Sequence, residues 1–198
     1  TNTFGRAPSP AMMKAIMVAG ARNLHSLAYR MPRANQPTEI VEAGFGLLDI
    51  ERAIGGPGIR DTDQVILLDQ TDTTPIGTSQ IAQRQITLAP GEGSLKVVLV
   101  WSDVPGTPGN GPALVNDLDL VILAPGGTEY LGNQTDADGV HAAPFASGSS
   151  LNFGDGFNNV EMVTLRDAQP GTYTIRVQGF QVTGGDQDYA LVIMKGVG

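Results

Sequence analysis

The sequence contains no cysteine. Disulfides and thiolate metal sites are therefore excluded, and cysteine usage leaves the redox compartment open. No apolar run reaches the roughly 18 residues that a membrane-spanning helix needs, so no membrane partner is expected. Cationic side chains are scarce: Lys and Arg number 12 against 20 Asp and Glu, for a net charge of −8. Phosphate binding needs clustered Lys and Arg, so nucleic acid is excluded as a partner, whereas bound cations are permitted. Histidine occurs only as His25 and His141, and tryptophan only as Trp101. Thr1–Arg6 lacks a basic leader region, and Lys14 interrupts the first apolar run, so the N-terminus does not read as a signal peptide. On this reading the chain is a fragment whose targeting segment lies elsewhere.

Apolar residues make up 41% of the 198, enough for a packed core in one ordinary domain or a small piece plus a domain. The 26 glycines and 13 prolines point to many turns rather than long helices. Ser9-Pro10 reads as an N-cap followed by proline at the first helical position. Met13, Ile16, Met17, Gly20 and Leu24 follow at helical spacing. The helix is about three turns long and cannot stand alone in water. In "EAGFGLLDIERAIGG", Glu51–Ile54 reads as a single helical turn. Residues 55–63, "GGPGIRDTD", form a break.

Beyond the break the pattern becomes strand-like. "SLKVVLVWSD" places Leu95, Val97, Leu99 and Trp101 on one side by period two. "GTYTIRVQGF" turns Tyr173, Ile175 and Val177 inward and Thr172, Thr174, Arg176 and Gln178 outward. "SQIAQRQITL", "VNDLDLVILAPGG", "VEMVTLRD" and "DYALVIMKG" bring the total to at least six strands. No crossover helices separate them, which excludes a parallel sheet. The fold class predicted is mainly β: an antiparallel β-sandwich, jelly-roll-like, preceded by a short helical piece.

Four stretches, in this order, resemble one family. "PSPAMMKAIMVAGARNL" resembles the helix that follows the serine helix of subtilisin-like proteases, and "EAGFGLLDIERAI" the segment that closes their catalytic domain. "LKVVLVWSDVPG…LVNDLDLVILAPGGTEYLGN" and "NNVEMVTL…QPGTYTIRVQGFQV" resemble the C-terminal β-domain of the alkaline, oxidatively stable bacterial subtilases. The resemblance implies the C-terminal part of a secreted, extracellular serine endopeptidase. Residues 1–54 would be the end of its α/β catalytic domain, 55–63 a linker and 64–198 the β-sandwich accessory domain. The implied partner is the protease's own catalytic domain. The apolar helix face would otherwise be exposed or covered in a dimer or crystal contact.

"GTSQIA", residues 77–82, imitates the G-T-S-M-A motif around the subtilase nucleophile. The imitation fails on four counts. Family members carry proline four residues after the serine, where this chain has Gln83. His141 follows Ser79, in the wrong order, and lies in "GVHAA" rather than the family's histidine context. His25 lies in "NLHSL", and no D-[ST]-G motif precedes it. The helix that should follow the serine precedes Ser79. Ser79 is therefore read as a turn or strand-edge residue, and the chain as lacking its own triad.

Asp117 and Asp119 sit two apart in a strand-like stretch, so both point to the same face, roughly 7 Å apart. Such carboxylates repel and need neutralising. "NQTDADG" and "GDGFNNVE" supply further oxygen ligands, including Asn133, Asp155 and Glu161, and Asp103 is near in sequence. Calcium takes six to eight such oxygens, and the resemblance implies calcium as well. The ligands expected are Asp117, Asp119, Asp155 and Asn133. The spacing is not that of an EF-hand loop. Paired acids also serve glycoside hydrolysis, but a same-strand Asp-x-Asp is too common to indicate it. Trp101 falls with the core residues rather than on a sugar-binding face. A second reading remains open: an independent calcium-dependent carbohydrate- or protein-binding module, which exposed aromatics on one face would favour.

Overall fold

Ser9 and Pro10 start a helix as their types dictate. In the computed structural model, which describes residues 7–22, 44–53, 64–106, 114–136, 141–145 and 154–196, helix α1 spans Pro10–Gly20. The Ser9 hydroxyl accepts from Met12 N at 3.0 Å and donates to the buried carboxylate of Asp69. A one-turn helix α2 spans Ile50–Ala53. The predicted linker 55–63 and His25 lie outside the described residues.

Among the described residues eight strands follow: β1 Val65–Leu68, β2 Ile81–Leu88, β3 Ser94–Val100, β4 Asn116–Leu123, β5 Glu129–Leu131, β6 Val160–Arg166, β7 Gly171–Val182 and β8 Ala190–Lys195. They form two four-stranded sheets, ordered β1-β8-β3-β6 and β2-β7-β4-β5. Every pairing is antiparallel. The predicted β-sandwich is therefore what the chain forms.

Leu95, Val97, Leu99 and Trp101 meet Tyr173, Ile175 and Val177 between the sheets, as the period-two reading requires. Trp101 is 1% exposed and donates its indole N–H to Asn116 O at 2.9 Å. The Tyr173 hydroxyl bonds back to Gln169 O at 2.9 Å, a tyrosine-corner arrangement at the start of β7. The alternate residues of the first sheet face a second cluster, in which Val98, Val100, Met162, Val192 and Met194 pack under α1. That double burial explains why β3 and β8 read as nearly continuous apolar runs.

Helix α1 lies on the sandwich by a face the spacing did not single out. Ala11, Met12, Ala15, Val18 and Ala19 are buried, while Met13 and Met17 are exposed. The alanines let the helix approach the sheet closely around the buried Met12, and Met13 and Met17 are left outside. Gly20 is small for a reason: a Cβ there would overlap Ala53 of α2. The last turn of α1 carries no basic residue. Lys96, from β3, supplies the missing cation and donates to Val18 O at 3.1 Å and Ala21 O at 3.2 Å. Burial, and then Arg52 nearby, lowers its pKa to about 8. Ser79 sits in the turn before β2 with φ 63° and donates its N–H to Gly179 O, so it is a turn residue.

Both helix ends are thus fastened by residues of the sandwich. Ser9→Ala is expected to cost about 1–2 kcal/mol. Lys96→Met, which strips two carbonyls of their donor, is expected to cost about 1–3 kcal/mol. Urea denaturation measures both, and unchanged midpoints would show that the helix is not part of the cooperative unit.

Candidate functional site

Strand β5 is three residues long, so its ladder with β4 covers only Val121–Leu123. One step earlier, Leu120 must find other partners for its backbone. Gly132 N donates to Leu120 O at 2.9 Å, and Leu120 N donates to a Glu161 carboxylate oxygen at 2.6 Å. Glu161 shares the inward parity of Val163 and Leu165 and is 0% exposed. Its other oxygen accepts from Asp155 N at 3.2 Å. A β6 side chain thereby joins β4, where β5 no longer covers it, to the other sheet.

Leu118, Leu120 and Ile122 fill the core, so Asp117 and Asp119 take the opposite face of β4, as expected. The segment 154–156 runs across them. A Cβ at Gly154 would overlap the Asp119 carboxyl, and one at Gly156 would stand 3.3 Å from Asp117 Oδ2. Gly132 leaves room for Glu161 in the same way. The sequence Gly-Asp-Gly thus lets Asp155 descend beside the two β4 acids.

Asn133 holds this arrangement together. With φ 57°, it accepts from Met162 N at 3.0 Å through its side-chain oxygen. Its side-chain N–H2 donates to Asp155 Oδ2 at 2.7 Å and to Val160 O at 2.7 Å. Asn158 Nδ2 and Phe157 N also donate to Asp155. Asp103 accepts from the backbone N–H groups of Val104, Val115 and Asn116, which sets the entry to β4.

The electrostatics are one-sided. Burial raises the pKa of Asp119 to about 7, and Asp117 and Asp155 push it further than the Gly154 N–H pulls it back. Burial, then Asp155 and Asp103, raises that of Asp117 to about 6. Glu161 lies well above its ordinary value, through burial and then Asp119. Among the described residues no cation contributes to any of the three. One oxygen, Asp117 Oδ1, is buried without a hydrogen-bond partner among the described residues.

The structure therefore brings Asp117, Asp119 and Asp155 together and places Asn133 alongside, with its amide committed to Asp155 and to β6. Glu161 and Asp103 complete the group. The signal for Glu161 was its acid at an inward position of an apolar strand. Among the described residues no three His, Asp or Glu side chains stand as a metal-holding group in this arrangement. The donor chemistry nonetheless suits a hard cation: carboxylate oxygens, uncompensated negative charge and one orphaned buried oxygen.

No family model matches the chain. The serine protease/ABC transporter B family protein tagA of Dictyostelium discoideum is 26% identical over 196 residues. The association with a serine protease is distant. The alignment takes in 97% of this chain but 10% of that protein, so the chain spans about a tenth of the length of the curated relative it matches. A solved structure from Sulfurospirillum deleyianum aligns over 66% of this chain and 96% of its own at 10% identity and a TM-score of 0.31. The P-domain of Macrobrachium rosenbergii nodavirus aligns over 64% of this chain and 84% of its own at 15% identity and a TM-score of 0.22. Structural likenesses this slight carry no weight.

The raised acids fix the sign of a pH dependence. Between pH 4 and 7 the folded metal-free chain binds more protons than the unfolded one, so stability is fully present near pH 4 and falls as pH rises through 6 and 7. Urea midpoints measured in chelator from pH 4 to 8 are expected to fall, and Asp119→Asn is expected to flatten the decline. A midpoint that climbs across this range would contradict the electrostatics described.

Proposed function

We propose that the chain is the non-catalytic C-terminal portion of a secreted subtilisin-like serine endopeptidase, whose β-sandwich stabilises the protease and binds calcium. The strand orders β1-β8-β3-β6 and β2-β7-β4-β5 support a jelly-roll reading of that sandwich.

One observation carries the reading. The layer made by α1 and residues 44–53 has two apolar faces, one buried against the sandwich and one exposed. Met13, Met17, Leu47, Leu48 and Ile50 are all exposed. The backbone of Arg22 pairs with that of Leu47, and the Arg22 side chain with Asp49 at 2.9 Å, so both pieces form one platform. A face of this composition suits the catalytic domain that the resemblance places before it. The distant serine-protease relative agrees with the same reading.

Calcium enters through the acidic seam. Asp117, Asp119 and Asp155 would hold the ion, with Asn133 orienting Asp155. When bound it would supply the positive charge that the seam lacks and bring the orphaned Asp117 oxygen a partner. The chain's own part is to fix the two ends of the sandwich edge through Glu161 and Asn133.

At pH 7.5, calcium at about 100 times its dissociation constant adds about 2.7 kcal/mol. For a chain of this size that corresponds to roughly 5–11 °C in melting temperature. Differential scanning calorimetry with calcium and with chelator is the measurement, and equal melting temperatures would remove the calcium assignment. A fluorophosphonate probe is expected to leave Ser79 unlabelled; stoichiometric labelling would overturn the non-catalytic reading. Met13→Lys with Met17→Lys is expected to change the stability of the isolated chain by less than about 0.5 kcal/mol. The same pair is expected to weaken association with a subtilase catalytic domain.

A further inference from the structure

A second concavity lies away from the acidic seam, at the end of the sandwich where three connections converge. Its volume is about 360 Å³, within the ordinary range for small-ligand sites. The β4–β5 turn contributes Pro125, the pieces 135–136 and 141–145 contribute Asp136, His141 and Pro144, the end of β6 contributes Arg166, and the β6–β7 connection contributes Gln169. Tyr130 of β5 and Tyr173 of β7 also line it. The walls are built rather than loose. Ala142 N donates to Thr164 O at 2.8 Å, Asp136 N to His141 O at 2.8 Å, and Phe145 N to Glu129 O at 2.7 Å, which ties residues 141–145 to β6, to Asp136 and to β5. Asp167, on the rim, has φ 53°, a conformation few non-glycine residues hold without support.

The lining selects a ligand chemistry. Arg166 stands 3.7 Å from Asp136, and Asp167 adds a second negative charge, so an anion gains little. A purely apolar ligand would strip water from an Arg–Asp pair and from Gln169 without replacing its hydrogen bonds. A neutral ligand rich in hydroxyls meets both requirements. Adjacent hydroxyls can bond to guanidinium and carboxylate together, and the C–H face of a sugar ring can rest on the half-buried Tyr130 and the proline surfaces. We infer that this cavity is a subsite for one or two neutral sugar units, independent of the calcium seam.

The test is titration calorimetry of the whole chain against a panel of neutral di- and trisaccharides, repeated in chelator. At least one is expected to bind at millimolar or tighter affinity, with or without calcium. Arg166→Met, at a largely exposed side chain, and Tyr130→Ala are each expected to weaken that binding at least tenfold while the melting curve keeps its two-state form. Asp119→Asn, in the acidic seam, is expected to leave it unchanged. Absence of binding across the panel would overturn the inference. So would affinity that survives both cavity variants, or a basic peptide that binds there while sugars do not.

Discussion

Glu161 sets the constraint on which the rest of the sandwich depends. Its carboxylate is wholly buried at the seam between the sheets and satisfies a backbone N–H that the short β5 leaves unpaired. A sandwich edge must be closed by something, since unpaired strand groups cost free energy when buried and invite foreign strands when exposed. Here the closing group is an acid, with Asn133 as its neutral counterpart on the other side of the seam. The choice has a consequence. Glu161 lies against Asp119, which lies against Asp117 and Asp155, and among the described residues no cation offsets them. Structural closure and the acidic character of the seam therefore arise from the same residues.

The helix layer follows a similar logic on the outer face of the first sheet. Its small residues seat it on the first sheet, and its two ends are fastened by Asp69 and Lys96, both from the sandwich. Neither partner could be inferred from the helix itself, because each lies more than fifty residues away in the chain. The outcome is a helix that is part of the β-sandwich core and at the same time presents methionines outward. A body joined to that outward face would be mechanically continuous with the β-core.

Much of this was legible in the letters. The alternation in β7 placed Tyr173 correctly, because a strand with one wet face records its burial with period two, and the parity of β3 placed Trp101 with Leu95, Val97 and Leu99 although both faces of that strand are covered. The same rule put Asp117 and Asp119 on one face of β4. The helix face was harder to read. Met13, Ile16 and Met17 look like a core stripe, but a sheet accepts a helix most closely through alanine, and propensity alone does not say which stripe wins. Glu161 was visible as a candidate without its role, since that role depends on β5 being only three residues long. Asn133 looked like a ligand, and its amide turned out to bind Asp155 and the β6 backbone. In both cases the deciding partner lies across the sandwich.

The most direct test of the acidic seam is the number of protons released when calcium binds. Because Asp117 and Asp119 hold protons near neutrality, a cation that requires them ionised must displace those protons. Titration calorimetry at pH 6.5, in two buffers of different ionisation enthalpy, counts them. The account expects a release of about one proton or more per calcium bound, falling sharply in Asp119→Asn. Calcium binding with no proton release, or no binding at all, would contradict it.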